Sequence, residues 1–103
     1  MEPTFEKDAA ISDVVRRLGE HFGPEVVVRD HWDADLCAIG ISRADAEYPL
    51  VYISTYKRSP GRYFLSLEEA PKSKSDIATQ VGDFDNLEFV ELAERIAEHL
   101  RLK

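Results

Sequence analysis

Residues 50–67 read Leu50-Val51-Tyr52-Ile53-Ser54-Thr55-Tyr56, Lys57-Arg58, Ser59-Pro60-Gly61-Arg62, Tyr63-Phe64-Leu65-Ser66-Leu67. Val51, Ile53 and Thr55 alternate with Leu50, Tyr52, Ser54 and Tyr56, and Tyr63, Leu65 and Leu67 alternate with Phe64 and Ser66. A period of two in β-branched and aromatic residues marks a strand. Between the two runs, proline and then glycine occupy the centre of residues 59–62. That is the composition of a type II turn: proline presets the first central φ, and glycine takes the positive φ of the second without a steric penalty. The stretch predicts a β-hairpin over residues 50–56 and 62–67, so the fold is built on antiparallel pairing.

Outward from the hairpin, Val26-Val27-Val28-Arg29 is short and β-branched, and residues 34–42 alternate Leu36, Ala38 and Gly40 against Cys37, Ile39 and Ile41. Both read as strands. Upstream, over residues 5–22, Ile11, Val14, Val15, Leu18 and Phe22 recur at the spacing of one helix face. Gly23-Pro24 ends this helix, because glycine accepts a left-handed cap and proline cannot continue the hydrogen-bond ladder. Downstream, residues 68–82 hold Pro71, Lys72, Ser73, Lys74 and Ser75 with no sustained period and read as a connecting loop. Asp85, with Glu88 after it, has the spacing of a capping box, and Phe89, Leu92, Ala93, Ile96 and Leu100 then line one helix face. Arg95, Arg101 and Lys103 fall toward the end of that helix, where cations suit its dipole.

The expected fold class is α+β: an antiparallel three- to four-stranded meander flanked in sequence by an N-terminal and a C-terminal helix, both packed on one face. Ile11, Val15, Leu18, Ile39, Ile53, Leu65, Phe89, Ala93, Ile96 and Leu100 are expected to share one core. The other sheet face is expected to be open and lined by tyrosine and small or polar residues. With 103 residues, 44% of them hydrophobic, the chain fits a single domain over residues 1–103. Its one cysteine, Cys37, excludes an intramolecular disulfide, and the apolar residues around it predict a buried thiol. Neither a basic-then-apolar leader nor a run of membrane-spanning length is present, so a cytoplasmic location off the membrane is expected.

Charge decides which functions to consider. Twenty acidic residues stand against thirteen basic ones, a net charge of −7. The excess lies in two blocks: Asp30, Asp33, Asp35, Asp45 and Glu47, then Asp76 through Glu98. Such a surface repels nucleic acid and anionic membrane and attracts basic proteins. Within Asp30-His31-Trp32-Asp33-Ala34-Asp35 a lone tryptophan sits among carboxylates, either as an interface anchor with steering charges or as a lid folded back on the core. A metal site from His31, Asp33 and Asp35 lacks a second histidine or a cysteine pair at useful spacing, and no metal or other cofactor is expected. A second acidic surface is expected on Asp83, Asp85, Glu88, Glu91 and Glu94.

Tyr48, Tyr52, Tyr56 and Tyr63 gather in the strand region, as cross-strand stabilisers or as a partner-binding face. Lys57, Arg58 and Arg62 flank the turn; they read as a solvated, charged hairpin tip more readily than as a cradle for a phosphate or an acidic peptide. His21, His31 and His99 are scattered, no serine sits in a nucleophile elbow, and nothing pairs a base with a nucleophile, so no enzymatic activity is expected. The element order is similar to that of double-stranded RNA-binding domains. Those need a basic helix start where this chain has Asp83-Phe84-Asp85-Asn86-Leu87-Glu88.

In size, acidity and helix-meander-helix pattern, with residues 30–35 and 83–94 as acidic surfaces, the chain resembles the small cytoplasmic immunity proteins of bacterial polymorphic and contact-dependent toxin systems. The resemblance implies a protein-binding module that inhibits a cognate, basic toxin by covering its active site, as a monomer or a homodimer. Asp30, His31, Trp32, Asp33, Asp35, Asp83, Asp85, Glu88 and Glu91 would then meet the partner. The alternative is a regulatory or secretion-chaperone-like homodimer, a class with similar acidity and mixed α/β content but with further strands and a third helix.

Overall fold

Helix α1 (Ala9–Phe22) follows from its apolar spacing: Ile11, Val14, Val15 and Leu18 are all fully buried along one side. Asp8 precedes the first turn, and Gly23 closes the last with φ of 65° while its N–H donates to the Gly19 carbonyl. A side chain at Gly23 would be strained by that φ. A 3-10 turn (Gly23–Glu25) then passes the chain directly into strand β1 (Val26–Val28). The computed structural model describes residues 8–29, 36–71 and 79–102.

Four more strands follow: β2 (Ala38–Arg43), β3 (Leu50–Ser54), β4 (Tyr63–Glu69) and β5 (Thr79–Leu87), before α2 (Phe89–Leu100). All neighbours are antiparallel, in the order β1-β2-β3-β4-β5, which is a pure meander. The β3–β4 connection carries the turn read from the sequence: Gly61 has φ of 80°, and the Arg62 N–H donates to the Ser59 carbonyl at 3.0 Å.

Register sorts the strand residues into two faces. One row runs Ile39, Ile53, Leu65, Phe84 across β2 to β5; the next runs Val28, Ile41, Val51, Leu67, Gly82 across all five strands. Apart from Gly82, these residues join the apolar sides of both helices in one cluster, with Val28, Leu67 and Phe84 partly buried at its margin, so α1 and α2 share a core with the same sheet face. Of the ten residues expected in that core, Phe89 alone is only half-buried, and Leu92, Ile96 and Leu100 are the fully buried positions on α2. Phe89 sits on the first turn of α2, where Arg17 covers its ring at 4.0 Å and His21 meets its edge.

Three expectations are corrected. The sheet has five strands, because residues 79–82, read as loop, pair with β4 and extend through Leu87. The alternation is hidden by two register shifts in the β4–β5 ladder, one between Leu67 and Glu68 and one between Tyr63 and Leu65. Helix α2 consequently starts one turn later than expected, with Asp85 inside β5 and the reciprocal capping box formed by Glu88 and Glu91. The second sheet face, expected to be open, excludes solvent from its small residues: Ala38 and Ser42 are fully buried, as nearly are Leu50, Ser54 and Ser66. Across the strands Ser66 lies between Tyr52 and Asp83, and Ser54 between Ala38 and Phe64. Arg29 reaches over the same face to donate from Nε to Ser42 Oγ at 2.9 Å.

Candidate protein-binding surface

The first expected surface, Asp30, His31, Trp32, Asp33 and Asp35, lies outside the described residues. Its flanks are well placed. Arg29 extends the β1–β2 pairing through its N–H to the Gly40 carbonyl at 2.7 Å, and Leu36, half exposed, accepts from the Asp8 N–H at 2.9 Å. Those described flanks adjoin two neighbouring antiparallel strands, and Leu36 lies beside the start of α1. Cys37 also sits there, ahead of β2 rather than within it, half-buried rather than in the core, with its thiol donating to Asp8 Oδ2 at 2.8 Å.

The second surface is present and divided. Asp83 lies opposite Ser66 on the face away from the helices, and Phe84, the next residue, faces the core opposite Leu65. Asp85, one position further, returns to the helix-free face, where its carboxylate meets Arg58 at 2.8 Å. Arg58 is itself laid over the Phe64 ring at 5.4 Å on that same face. Glu88 pairs with Arg62 at 3.1 Å while capping α2, and Glu91 accepts from the Glu88 N–H at 3.3 Å. So two of the four acids expected to meet a partner on this surface, Asp85 and Glu88, also hold the basic hairpin tip. The tip is not simply solvated: Arg58 and Arg62 tie it to β5 and to the start of α2, although each bridge has an exposed carboxylate and contributes at most about 1 kcal/mol. Of the tip's three cations, Lys57 is turned to the Tyr56 ring at 5.4 Å.

The remaining arginine pairs follow the same local logic. Arg16 bridges Asp13 and Glu20 along α1, and Arg43 bridges Asp45 after β2. The hydrogen bond and charge of Arg43 hold the Asp45 carboxyl below its ordinary range. Asp83, by contrast, receives only the Gln80 amide at 3.4 Å, and Glu94 and Glu98 meet no cation among the described residues. Among the described residues β5 and α2 thus carry acids that meet no cation, alongside Arg95 and Arg101, which meet no carboxylate there.

A groove that the sequence did not reveal runs between those two elements. It encloses about 430 Å³; Leu67, Val81 and Phe84 supply its apolar lining, and Arg95, Glu98 and Arg101 its charged wall. Arg95 lies over the Phe84 ring at 4.2 Å. His99 closes one side, its Nε2 2.9 Å from the Glu68 carbonyl and 3.4 Å from the Glu69 carboxylate. Val81 is 53% exposed at the mouth, a large aliphatic side chain left in water. The only signal for it in the sequence was the valine itself, inside a stretch that read as loop.

The tyrosines do not form one cluster. Tyr63 is buried with the helices, whereas Tyr52 packs edge-on against Phe64 on the opposite face and Tyr56 is exposed. Burial pushes the Tyr48 hydroxyl above the ordinary phenol range, with Glu47 and Glu68 adding to the effect. His21 packs edge-on against Phe22 and Phe89. Among the described residues no three histidine, cysteine or acidic side chains gather as a metal-ion site, and no helix is long and apolar enough to cross a membrane. The chain matches no family model, no curated protein and no solved structure.

Proposed function

We propose that this chain is an acidic protein-binding module, an inhibitor of the immunity type that binds a basic toxin and covers its working surface. The reading is carried by one observation: among the described residues Asp83 on the helix-free face of β5 and Glu94 and Glu98 on α2 are exposed and meet no cation, close to an apolar groove whose wall holds Glu98 together with Arg95 and Arg101. Unmatched charge steers a basic partner to the surface, and apolar burial then holds it there. Asp30, Asp33 and Asp35 supply a second acidic stretch in the sequence, with Trp32 as its apolar anchor.

The test is coproduction with the polypeptide encoded immediately upstream. A product that arrests growth alone, and whose arrest is relieved by this chain in a complex stable to size exclusion, is the expected result; no complex and no relief would sink the reading. Within such a complex the two acidic surfaces are separable. Reversing Asp33 and Asp35 slows association if the first is the interface, and truncating Trp32 then speeds dissociation by about 2 kcal/mol. Reversing Asp83 and Glu94 does so if it is the second. Nucleic acid is not the ligand on this reading, so fluorescence anisotropy with DNA or RNA is expected to show no tight, salt-sensitive binding.

A further inference from the structure

Strand β5 pairs with β4 alone among the described residues, which leaves its outer edge with a row of backbone N–H and C=O groups turned away from the sheet. At nine residues it is the longest strand among the described residues. Helix α2 does not shelter it: after the single residue Glu88 the chain turns back and lays α2 chiefly against β3 and β4. The two sides of the exposed edge differ in chemistry. On the helix-free side stand Asp83 and Asp85. On the helix side the register shift after Leu67 brings Val81 and Gly82 toward the groove, next to Phe84.

We propose that the free edge of β5 is where the partner docks, by adding an extended segment of its own that is basic on one side and apolar on the other. This rests on the reading of the chain as a binder of basic proteins. Successive residues of an added strand point to opposite faces, so a single alternating segment reaches both features at once. Its cations fall beside Asp83 and Asp85, its aliphatic side chains fall over the exposed Val81 at the groove mouth, and its backbone completes the hydrogen bonds of the edge. Arg58 already meets Asp85, which makes Asp83 the main charge contact. A second copy of this chain is a poor occupant. An antiparallel β5–β5 pair centred on Asp83 or on Phe84 sets acid against acid on one face, an arrangement that destabilises pairing.

The probe is an acetylated peptide of alternating lysine and valine, titrated into the isotope-labelled protein by NMR. One control carries N-methyl groups on alternate amides, which removes hydrogen bonds and keeps charge; another replaces lysine by glutamate. The expected result is that the lysine–valine peptide moves the amide signals of β5, that N-methylation weakens binding by about tenfold or more, and that the glutamate peptide does not bind. Asp83→Lys and Val81→Lys, both at exposed side chains, are each expected to weaken binding by about tenfold with the fold intact by circular dichroism. If the N-methylated peptide binds as well as its parent, or the shifts fall away from β5, the edge is not the dock although the affinity for basic partners stands. If no basic peptide binds at millimolar concentration, both readings fall.

Discussion

At one edge of the sheet β1 is three valines long and rests against α1, the helix that delivered it; at the other, β5 is nine residues long and overhangs the helix that follows. The difference follows from the connections. A 3-10 turn after α1 leaves no slack, so α1 lies on its neighbour in sequence and Val26 is buried between them. The single residue between β5 and α2 reverses the chain, and α2 is carried inward over the middle of the sheet. A short covered edge is one of the ways proteins prevent unwanted strand pairing. The edge of β5 is longer, and its acids oppose pairing with its own copy; on our proposal they select a strand of opposite charge.

The largest effect that probes this contrast is in the row Ile39, Ile53, Leu65, Phe84, which crosses the sheet from the covered side to the overhanging one. Ile39→Ala removes a fully buried side chain and is expected to cost about 2–5 kcal/mol in urea-induced unfolding. Ile53→Ala belongs to the same class. Phe84→Ala, at a half-buried ring roofed by Arg95, is expected to cost about 1–2 kcal/mol, below the usual range for a fully enclosed phenylalanine. Equal losses at the two ends would mean that β5 is as tightly held as β2.

The same contrast explains what could be read in advance. The hairpin was legible because Pro60 and Gly61 are the residues its turn geometry requires, and the helices because their apolar spacing matches buried faces such as Ile11, Val14, Val15 and Leu18. Strand β5 was not. Gly82, Asp83, Asp85 and Asn86 are poor strand formers, and the two register shifts break the period of two that a strand is recognised by. Its pairing is dictated by β4 beside it, a tertiary fact. The capping box was misplaced by one turn for a related reason: Asp85 with Glu88 and Glu88 with Glu91 have the same spacing, and strand pairing through Leu87 selects the second. The acids of the candidate surface were legible as residues, but their pairing with Arg58 and Arg62 was not, because it depends on where the hairpin tip lands.

A smaller effect tests how the overhanging edge is tethered. Arg58 is the less exposed partner of the Arg58–Asp85 bridge, at 23%, against 62% for Asp85. A double-mutant cycle of Arg58→Ala and Asp85→Ala is expected to give a coupling of about 0.5–1 kcal/mol, and Arg62 with Glu88, more exposed on the arginine side, less. The same Arg58→Ala variant frees Asp85, so it should tighten the lysine–valine peptide where Asp83→Lys weakens it. A coupling near zero would remove the Arg58–Asp85 bridge as a tether of β5.

The smallest effect lies at the other end of the molecule. Arg43, opposite Val26 in the β1–β2 ladder, donates from Nε and Nη2 to the two oxygens of Asp45 at 2.9 and 2.8 Å. This fork closes on a residue two positions along the chain, so unlike the Arg58–Asp85 bridge it ties no distant elements together. The hydrogen bond from Arg43 comes first among the causes that lower the Asp45 pKa, its charge adds to it, and partial desolvation opposes both. A carboxyl whose folded-state pKa is lowered favours the folded state above its unfolded value, and loses that contribution as pH falls through the folded-state value. The stabilisation is therefore complete at neutral pH and fades in acid, from the ordinary carboxylate value down through the lowered folded-state one. NMR titration of the Asp45 side-chain carboxyl is expected to show a midpoint below that range in the wild type and a return to it in Arg43→Gln. Global unfolding should hardly change, because the fork is exposed and local. An unshifted midpoint in the wild type would remove the fork, whereas a large loss of stability in Arg43→Gln would show the β1 end to depend on a charge pair as β5 does.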